Sequence, residues 1–383
     1  MRFFHLSDLH IGLKLHGRDL REDQEYIFHQ VVEKARERRP DAVVIAGDIY
    51  DKAVPSAEAV EVFDSFLMEL TRALPDAQIM MISGNHDSAP RINCYRGLLS
   101  QQHVHMIGLP PQGEEERIAR VTLADAYGPV NFFLLPFVRP SMVKQIVGTD
   151  ENGNNLSYDE TLRRLLQREE VDETQRNVLV SHQFYLPAGT GAEEIERSDS
   201  EVRTVGNIDA VASEVLSPFD YAALGHIHKP MKVGNERCRY CGTPLAYSVS
   251  EASQEKGILE VELGRKGEVA VRTLALSPLR RLRVITGTLG EVLREASDDY
   301  VSVILTDRMD LDVLDMQERL RLAFPHLLEI RREQTRRADY SGAAAPGKEA
   351  DPLELTLAFL NGEADDEEKE LLEDVIRTVQ ERM

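Results

Sequence analysis

Only three cysteines occur in 383 residues, no apolar run is long enough to cross a bilayer, and 45 Lys and Arg face 66 Asp and Glu. Each shortage excludes something. An odd and sparse set of cysteines builds no disulfide framework, the pattern expected of a reducing cytoplasm. Cys238 and Cys241 form a lone C-x-x-C. A zinc ribbon needs four ligands, so these two read as packed or partly exposed thiols in a turn. The lack of a long apolar run leaves no membrane span. The first motif follows Met1 too closely for a secretory leader, so the expected location is cytoplasmic. A net charge of −21 argues against a free-standing nucleic-acid binder, which neutralises phosphates with a basic face. A chain of this charge that acts on DNA needs local basic patches, metal ions or a basic partner.

The length exceeds one usual domain, and 42% hydrophobic with 29% charged residues is ordinary for a globular protein. A large core domain with one or two appendages is expected. The first half alternates β-rich runs with amphipathic stretches: strand 3–6, helix 23–38 with Tyr26, Ile27, Val31 and Ala35 near one face, strand 42–46, helix 56–74, strand 79–83. This is an α/β pattern. Runs such as AVVIA and IMMIS suit a sheet covered on both faces, which presents ligands at the carboxyl ends of its strands. Further strands are expected across 117–137 and in NVLVSH, YAALGHIH, YCGTPL and GILEVEL, with a helix over 158–168. That domain ends near residue 276. A second strand–helix–strand–helix–strand rhythm fills 282–332, and 336–350, containing Ser-Gly-Ala-Ala-Ala-Pro-Gly, reads as a linker. Beyond it Leu353, Leu357 and Leu360 share one helix face, and Leu371, Leu372, Val375, Ile376 and Val379 share another. Two short helices form no core alone, so they dock on this chain or on a partner.

Five strand-like runs end on metal-ligand types: SDLH (Asp8, His10), GD (Asp48), GNHD (Asn85, His86), SH (His182) and GHIH (His226, His228). In extended backbone a spacing of two puts both side chains of D-x-H or H-x-H on one side, where they can grip one ion. Carboxylate, amide and imidazole together suit Mn, Fe or Zn better than the all-oxygen cages of Ca or Mg. A bridging Asp permits two divalent ions about 3.5–4 Å apart, a clamp for in-line attack at phosphorus. Singly, each motif is weak, since a GD after a strand is usually a turn. His103-Val104-His105 repeats the H-x-H spacing without the Gly-Asp context and reads as structural. His5, His16, His29 and His326 read as packing or surface residues. The ordered recurrence at five strand ends carries the metal-site reading.

With these motifs the chain resembles the calcineurin-like metallophosphoesterase superfamily over about residues 2–230. Within it, the chain is similar to the SbcD type of DNA double-strand-break repair nuclease subunit. GDIYDKAVPS, with Asp51 and Pro55, and GNHDSAPR follow the nuclease form, whereas protein phosphatases have GNHE and an Asp-Arg-Gly absent here. SDSEVRTVGNIDAV, FDYAALGHIHKP and YCGTPLAYSVSEASQEKG also look like SbcD, with Thr243 and Val249 as departures. The resemblance implies a β-sandwich flanked by helices (1–276), a small α/β capping domain (277–335), a linker (336–350) and a helical tail (351–383). It implies one ion on Asp8, His10, Asp48 and His228, and another on Asp48, Asn85, His182 and His226. His86 would then protonate the leaving oxygen, Asp51 would orient His86, and Asp87 would brace the turn.

The implied activity is a manganese-dependent DNA phosphodiesterase holding two Mn2+, with Mg2+, Fe2+ or Zn2+ as alternatives. It would act as a 3′ to 5′ exonuclease on duplex ends and an endonuclease on single strands or hairpins. The implied assembly is a homodimer bound through its C-terminal helices to an SbcC-like SMC-type ATPase. Lys14, Arg18, Arg21, Arg91, Arg280, Arg281 and Arg283 are candidates for phosphate contacts. Two competing readings are a small-molecule or nucleotide phosphodiesterase or phosphatase of the same fold, which would not need the appendage and tail, and a metal-binding DNA-tethering scaffold, against which an intact His86 argues.

Overall fold

Phe3, Val44 and Met80 leave their strands toward one hydrophobic layer, and Phe4, Val43 and Ile79 toward another, so one sheet acquires two apolar faces. The computed structural model describes residues 1–187, 189–190, 198–201, 209–307, 313–332, 369, 371–372 and 374–376. Its first sheet has six strands in the order Val269–Ala275, Gly257–Leu263, Arg2–Leu6, Ala42–Ala46, Gln78–Ile82, Val104–Ile107. The last four run parallel, the first three of them in the βαβαβ rhythm expected and Val104–Ile107 in addition; Gly257–Leu263 pairs antiparallel with Arg2–Leu6, and Val269–Ala275 antiparallel with Gly257–Leu263. The second six-stranded sheet runs Met231–Val233, Asn235–Tyr240, Tyr221–Gly225, Arg176–His182, Gly128–Leu135, Ala119–Asp125.

The sheets pack face to face through Phe3, Val44, Met80, Phe132, Val180 and Tyr221. On the far face of the first sheet lie helices Arg21–Arg38 and Ala57–Ala73, whose Phe28 and Phe66 rings stack at 4.7 Å. On the far face of the second lies helix Tyr158–Gln167, capped by Ser157, whose hydroxyl accepts the Glu160 N–H at 3.1 Å. Each fully buried Phe, Leu or Ile contributes roughly 1.5–3 kcal/mol, so three apolar layers hold the flanked β-sandwich together. His5 sits in the inter-sheet layer, its Nε2 at 3.2 Å from the Leu224 carbonyl and its Nδ1 at 3.0 Å from the Tyr221 hydroxyl. Burial lowers its pKa to about 3, so it is a neutral cross-sheet hydrogen bond rather than a ligand.

Several expectations shift. Tyr26 is 42% exposed, and the covered face of its helix carries Ile27, Phe28, Val31, Val32 and Ala35 instead. YCGTPL is not a strand. The strand precedes it over Asn235–Tyr240, where the polar sequence NERCRY hides the signal because its first three side chains face solvent. Strand Val269–Ala275, exposed at alternate positions, is hidden in the same way. Cys238 and Cys241 are buried, and burial pushes their thiols up to about 11 and about 12. The linker 336–350, the helix over 353–360 and most of the tail 351–383 lie outside the described residues. Residues 371–372 and 374–376 are helical, with Leu371 and Val375 exposed. Among the described residues no helix is long and apolar enough to cross a membrane.

A small parallel sheet, Leu282–Gly287, Tyr300–Leu305 and Leu327–Arg332, has its own apolar core around Val301, Leu320 and Phe324. It is fastened to the sandwich through Asp23, which is 1% exposed and whose Oδ2 accepts from Tyr300 Oη at 2.8 Å and Arg280 Nη1 at 3.1 Å. Arg18 adds a hydrogen bond to the Leu327 carbonyl at 3.0 Å. Removing the guanidinium with Arg280→Ala strands a buried carboxylate, a loss of roughly 3 kcal/mol. We expect a lower melting temperature and new proteolytic cleavage near residues 277–281; an unchanged melting curve would show that the Asp23 contact does not hold the cap.

Candidate metal centre

The carboxyl ends of five strands, three in the first sheet and two in the second, point into one cleft. Leu6 leads to Asp8 and His10, Ala46 to Asp48, Ile82 to Asn85 and His86; His182 ends its strand, and Gly225 leads to His226 and His228. Turning abruptly at those ends takes unusual backbone. Asp8, His10, Asp48 and His226 have φ of 53°, 42°, 51° and 99°, the left-handed region that non-glycine residues avoid. Cross-loop hydrogen bonds hold them there: Asp8 N–H to the Gly47 carbonyl and His10 N–H to the Asp48 carbonyl, each 3.0 Å. Strain of this kind persists where the surroundings over-determine it, commonly at functional sites.

Asp48 is the centre of the cluster. Its Oδ1 accepts the His86 N–H at 2.8 Å, while its Oδ2 stands 3.2 Å from His182 Nε2 and 3.6 Å from His10 Nε2. On one side His10 Nε2 and His228 Nε2 approach to 3.1 Å beside Asp8. On the other, Asn85 Oδ1 lies 3.1 Å from His182 Nε2 and 2.9 Å from His226 Nδ1. All seven residues named as ligands are thus brought together. Neighbours decide which ring nitrogen faces the centre, since a carbonyl can only accept: His182 donates Nδ1–H to the Ala46 carbonyl at 2.7 Å and leaves Nε2 facing inward. At His228, Ser200 Oγ lies 2.7 Å from Nδ1 and itself donates to Glu251 Oε1 at 2.8 Å, which again leaves Nε2 for the centre.

Asp8, His10, Asp48, His182 and His228 are at most 2% exposed. Burial drives the Asp48 carboxyl up, but the imidazoles of His182, His10 and His86 outweigh it and hold it well below the usual range. Burial opposes charge on His182, yet Asp48 and Asp8 push it up to about 9. Carboxylates and imidazoles so packed compete for protons, and the Nε2 atoms of His10 and His228 stand only 3.1 Å apart. Divalent cations replace those protons, and the mixed O and N donor set fits them.

His86 is half-buried, with a ring nitrogen within 4.8 Å of ligand atoms of His10 and Asp48. Its Nδ1–H donates to the main-chain carbonyl of Asp51 at 2.9 Å. The expected orientation by Asp51 therefore runs through the backbone, and the Asp51 carboxylate stands instead 3.9 Å from His10 Nδ1. Asp87 braces the turn: its carboxylate accepts from Ile49, Tyr50 and Gly84 N–H groups at 2.9–3.0 Å. The phosphate-contact candidates fare less well, because Arg18, Arg21, Arg280 and Arg283 are engaged with Leu327, Glu25, Asp23 and Asp299 within the protein. Lys14, Arg91 and Arg281 are exposed.

Sequence reasoning missed Glu251. Wholly buried, it accepts from Ser198, Ser200, Ser248, Thr243 and Lys256 and stands 3.6 Å from His228 Nδ1. Burial raises its pKa, but His228 and Lys256 outweigh that and keep it ionised. The signal was the hydroxyl-rich SDSE and SVSE runs, whose partners lie about 50 positions apart and meet only in the fold.

Glycine permits the close packing. A Cβ on Gly84 would fall 2.1 Å from Asp48 Oδ1, and one on Gly47, at φ +89°, 2.3 Å from the His182 ring. Gly84→Ala must therefore displace Asp48, and we expect elemental analysis to show clearly less bound divalent metal while far-UV circular dichroism is retained. A full metal load in that variant would mean that Asp48 is not the shared ligand.

Comparison with known proteins agrees with this geometry. The calcineurin-like phosphoesterase family model matches residues 1–230, and a C-terminal model, SbcD_C, described as the type 5 capsule protein repressor C-terminal domain, matches 278–363. A dimetal phosphatase from Danio rerio has a TM-score of 0.41 at 16% identity over 71% of this chain and 98% of that one. GAP50, the anchor in the inner membrane complex of Plasmodium, has 0.40 at 12% over 86% and 96%. The protein TT1561 of Thermus thermophilus has 0.38 at 14% over 71% and 98%. The assignment rests on the family models, not on these superpositions. The chain belongs to the calcineurin-like metallophosphoesterases, and the SbcD C-terminal domain that follows makes it one of the SbcD type.

Proposed function

We propose that this chain is the nuclease subunit of an SbcCD-like complex, a manganese-dependent DNA phosphodiesterase acting 3′ to 5′ on duplex ends and endonucleolytically on single strands and hairpins. The observation that carries this reading is the joining of a buried cluster of Asp and His metal-ligand groups to an SbcD C-terminal domain in one chain. On it, residues 1–276 hydrolyse, 277–335 cap, 336–350 tether and 351–383 clamp the ATPase partner.

Asp8, His10, Asp48 and His228 would hold one ion and Asp48, Asn85, His182 and His226 the other. When bound, the ions supply Lewis acidity and orient water and phosphate for in-line attack. His86 keeps its ring fixed by the Asp51 carbonyl and, when protonated, donates from Nε2 to the departing 3′ oxygen. The homodimer reading draws support from Val54, Val60, Tyr95 and Leu98, apolar side chains 44–80% exposed. With a charge of −21, most of the affinity for duplex would come from the partner and the ions.

With manganese, the purified protein should degrade linear duplex and nick single-stranded DNA. His86→Gln should lower the rate by about 10²–10⁴-fold while metal content is retained; equal rates would remove His86 from the mechanism. Truncation after residue 350 should abolish co-purification with the SbcC-like ATPase and spare manganese-dependent cleavage. Recovery of the partner at full strength would sink the clamp.

A further inference from the structure

Phe137 follows strand Gly128–Leu135 and ties it to the loop carrying Asn85, donating its N–H to the Ser83 carbonyl at 2.9 Å. Its ring lies nearly parallel to the His226 imidazole, 6.3 Å away at 19°, and edge-on to His182 at 6.4 Å. Above it stands Arg139, with the guanidinium carbon 5.8 Å from the ring centroid. Arg139 is exposed, and among the described residues no carboxylate pairs with it. It contrasts with Arg18, Arg21, Arg280 and Arg283, whose donors are already engaged. A guanidinium held within cation–π range of an aromatic face, with no carboxylate among the described residues engaging it, keeps its N–H groups for a bidentate grip on phosphate.

We propose that Arg139, positioned by Phe137, binds a phosphate neighbouring the scissile one, and so makes this site prefer polynucleotides to small phosphate esters. The inference rests on the DNA-nuclease reading. His226 and the Arg139 guanidinium both approach the Phe137 ring, at 6.3 Å and 5.8 Å from its centroid, so Arg139 stands beside the ligands without being one of them. Its grip is accordingly assigned to the phosphate next to the one held at the ions. A charge-assisted hydrogen bond to phosphate corresponds to roughly a 10- to 100-fold effect on binding.

The test compares two substrates of the full-length protein with manganese: a single-stranded oligonucleotide, which has neighbouring phosphates, and bis(p-nitrophenyl) phosphate, which has none. In Arg139→Ala the ratio of kcat/KM for the oligonucleotide to that for the small ester should fall about tenfold or more, chiefly through KM. The salt slope of oligonucleotide binding should shrink by about 0.7. Arg139→Lys, which keeps the charge and loses the fork, should recover the salt slope but only part of the ratio. A ratio equal to that of the unaltered protein, or an equal loss on both substrates, overturns the assignment. Failure of the unaltered protein to cut any polynucleotide while it hydrolyses the small ester would instead overturn the nuclease reading beneath it.

Discussion

Everything in this protein is arranged around the burial of two carboxylates and a ring of imidazoles at the meeting point of two sheets. Burying charge without a partner is costly, and the groups nearest Asp48 are bases that would otherwise share its protons. Such a cluster is stable and useful when divalent cations take the protons' place. The strained turns at Asp8, His10, Asp48 and His226, and the glycines that leave no room for a Cβ, are what that convergence costs in backbone freedom.

The surrounding structure offsets that strain in layers. Three apolar layers fix the sheets, and through them the strand ends, so that ligands separated by more than 200 positions come within hydrogen-bonding distance. Polar braces then set each ring: Ala46 for His182, Ser200 and Glu251 for His228, the Asp51 carbonyl for His86, and Asp87 for the loop between them. The cap is fastened separately at Asp23, so Arg280, chosen from sequence as a DNA contact, proves instead to be a structural tie. Near the centre Arg139, beside the Phe137 ring, has no carboxylate partner among the described residues.

The chemistry is written in the local pattern of the chain. Ligand types recur at the ends of short apolar runs, and runs of that length and composition identify strands buried on both faces, so three of the first sheet's four parallel strands and the gathering of the seven candidate ligands were legible, whereas strand Val104–Ile107 was not. Strands Asn235–Tyr240 and Val269–Ala275 were not, because they expose leading or alternate polar residues and lose the apolar signature. Folding alone settles how the ligands gather around Asp48, which atom of Asp51 meets His86, which arginines are already engaged, and that Glu251 stands behind His228. Those are relations between residues far apart in the chain, set by sheet packing and hydrogen-bond geometry. Local pattern carries residue type and periodicity, but not distance.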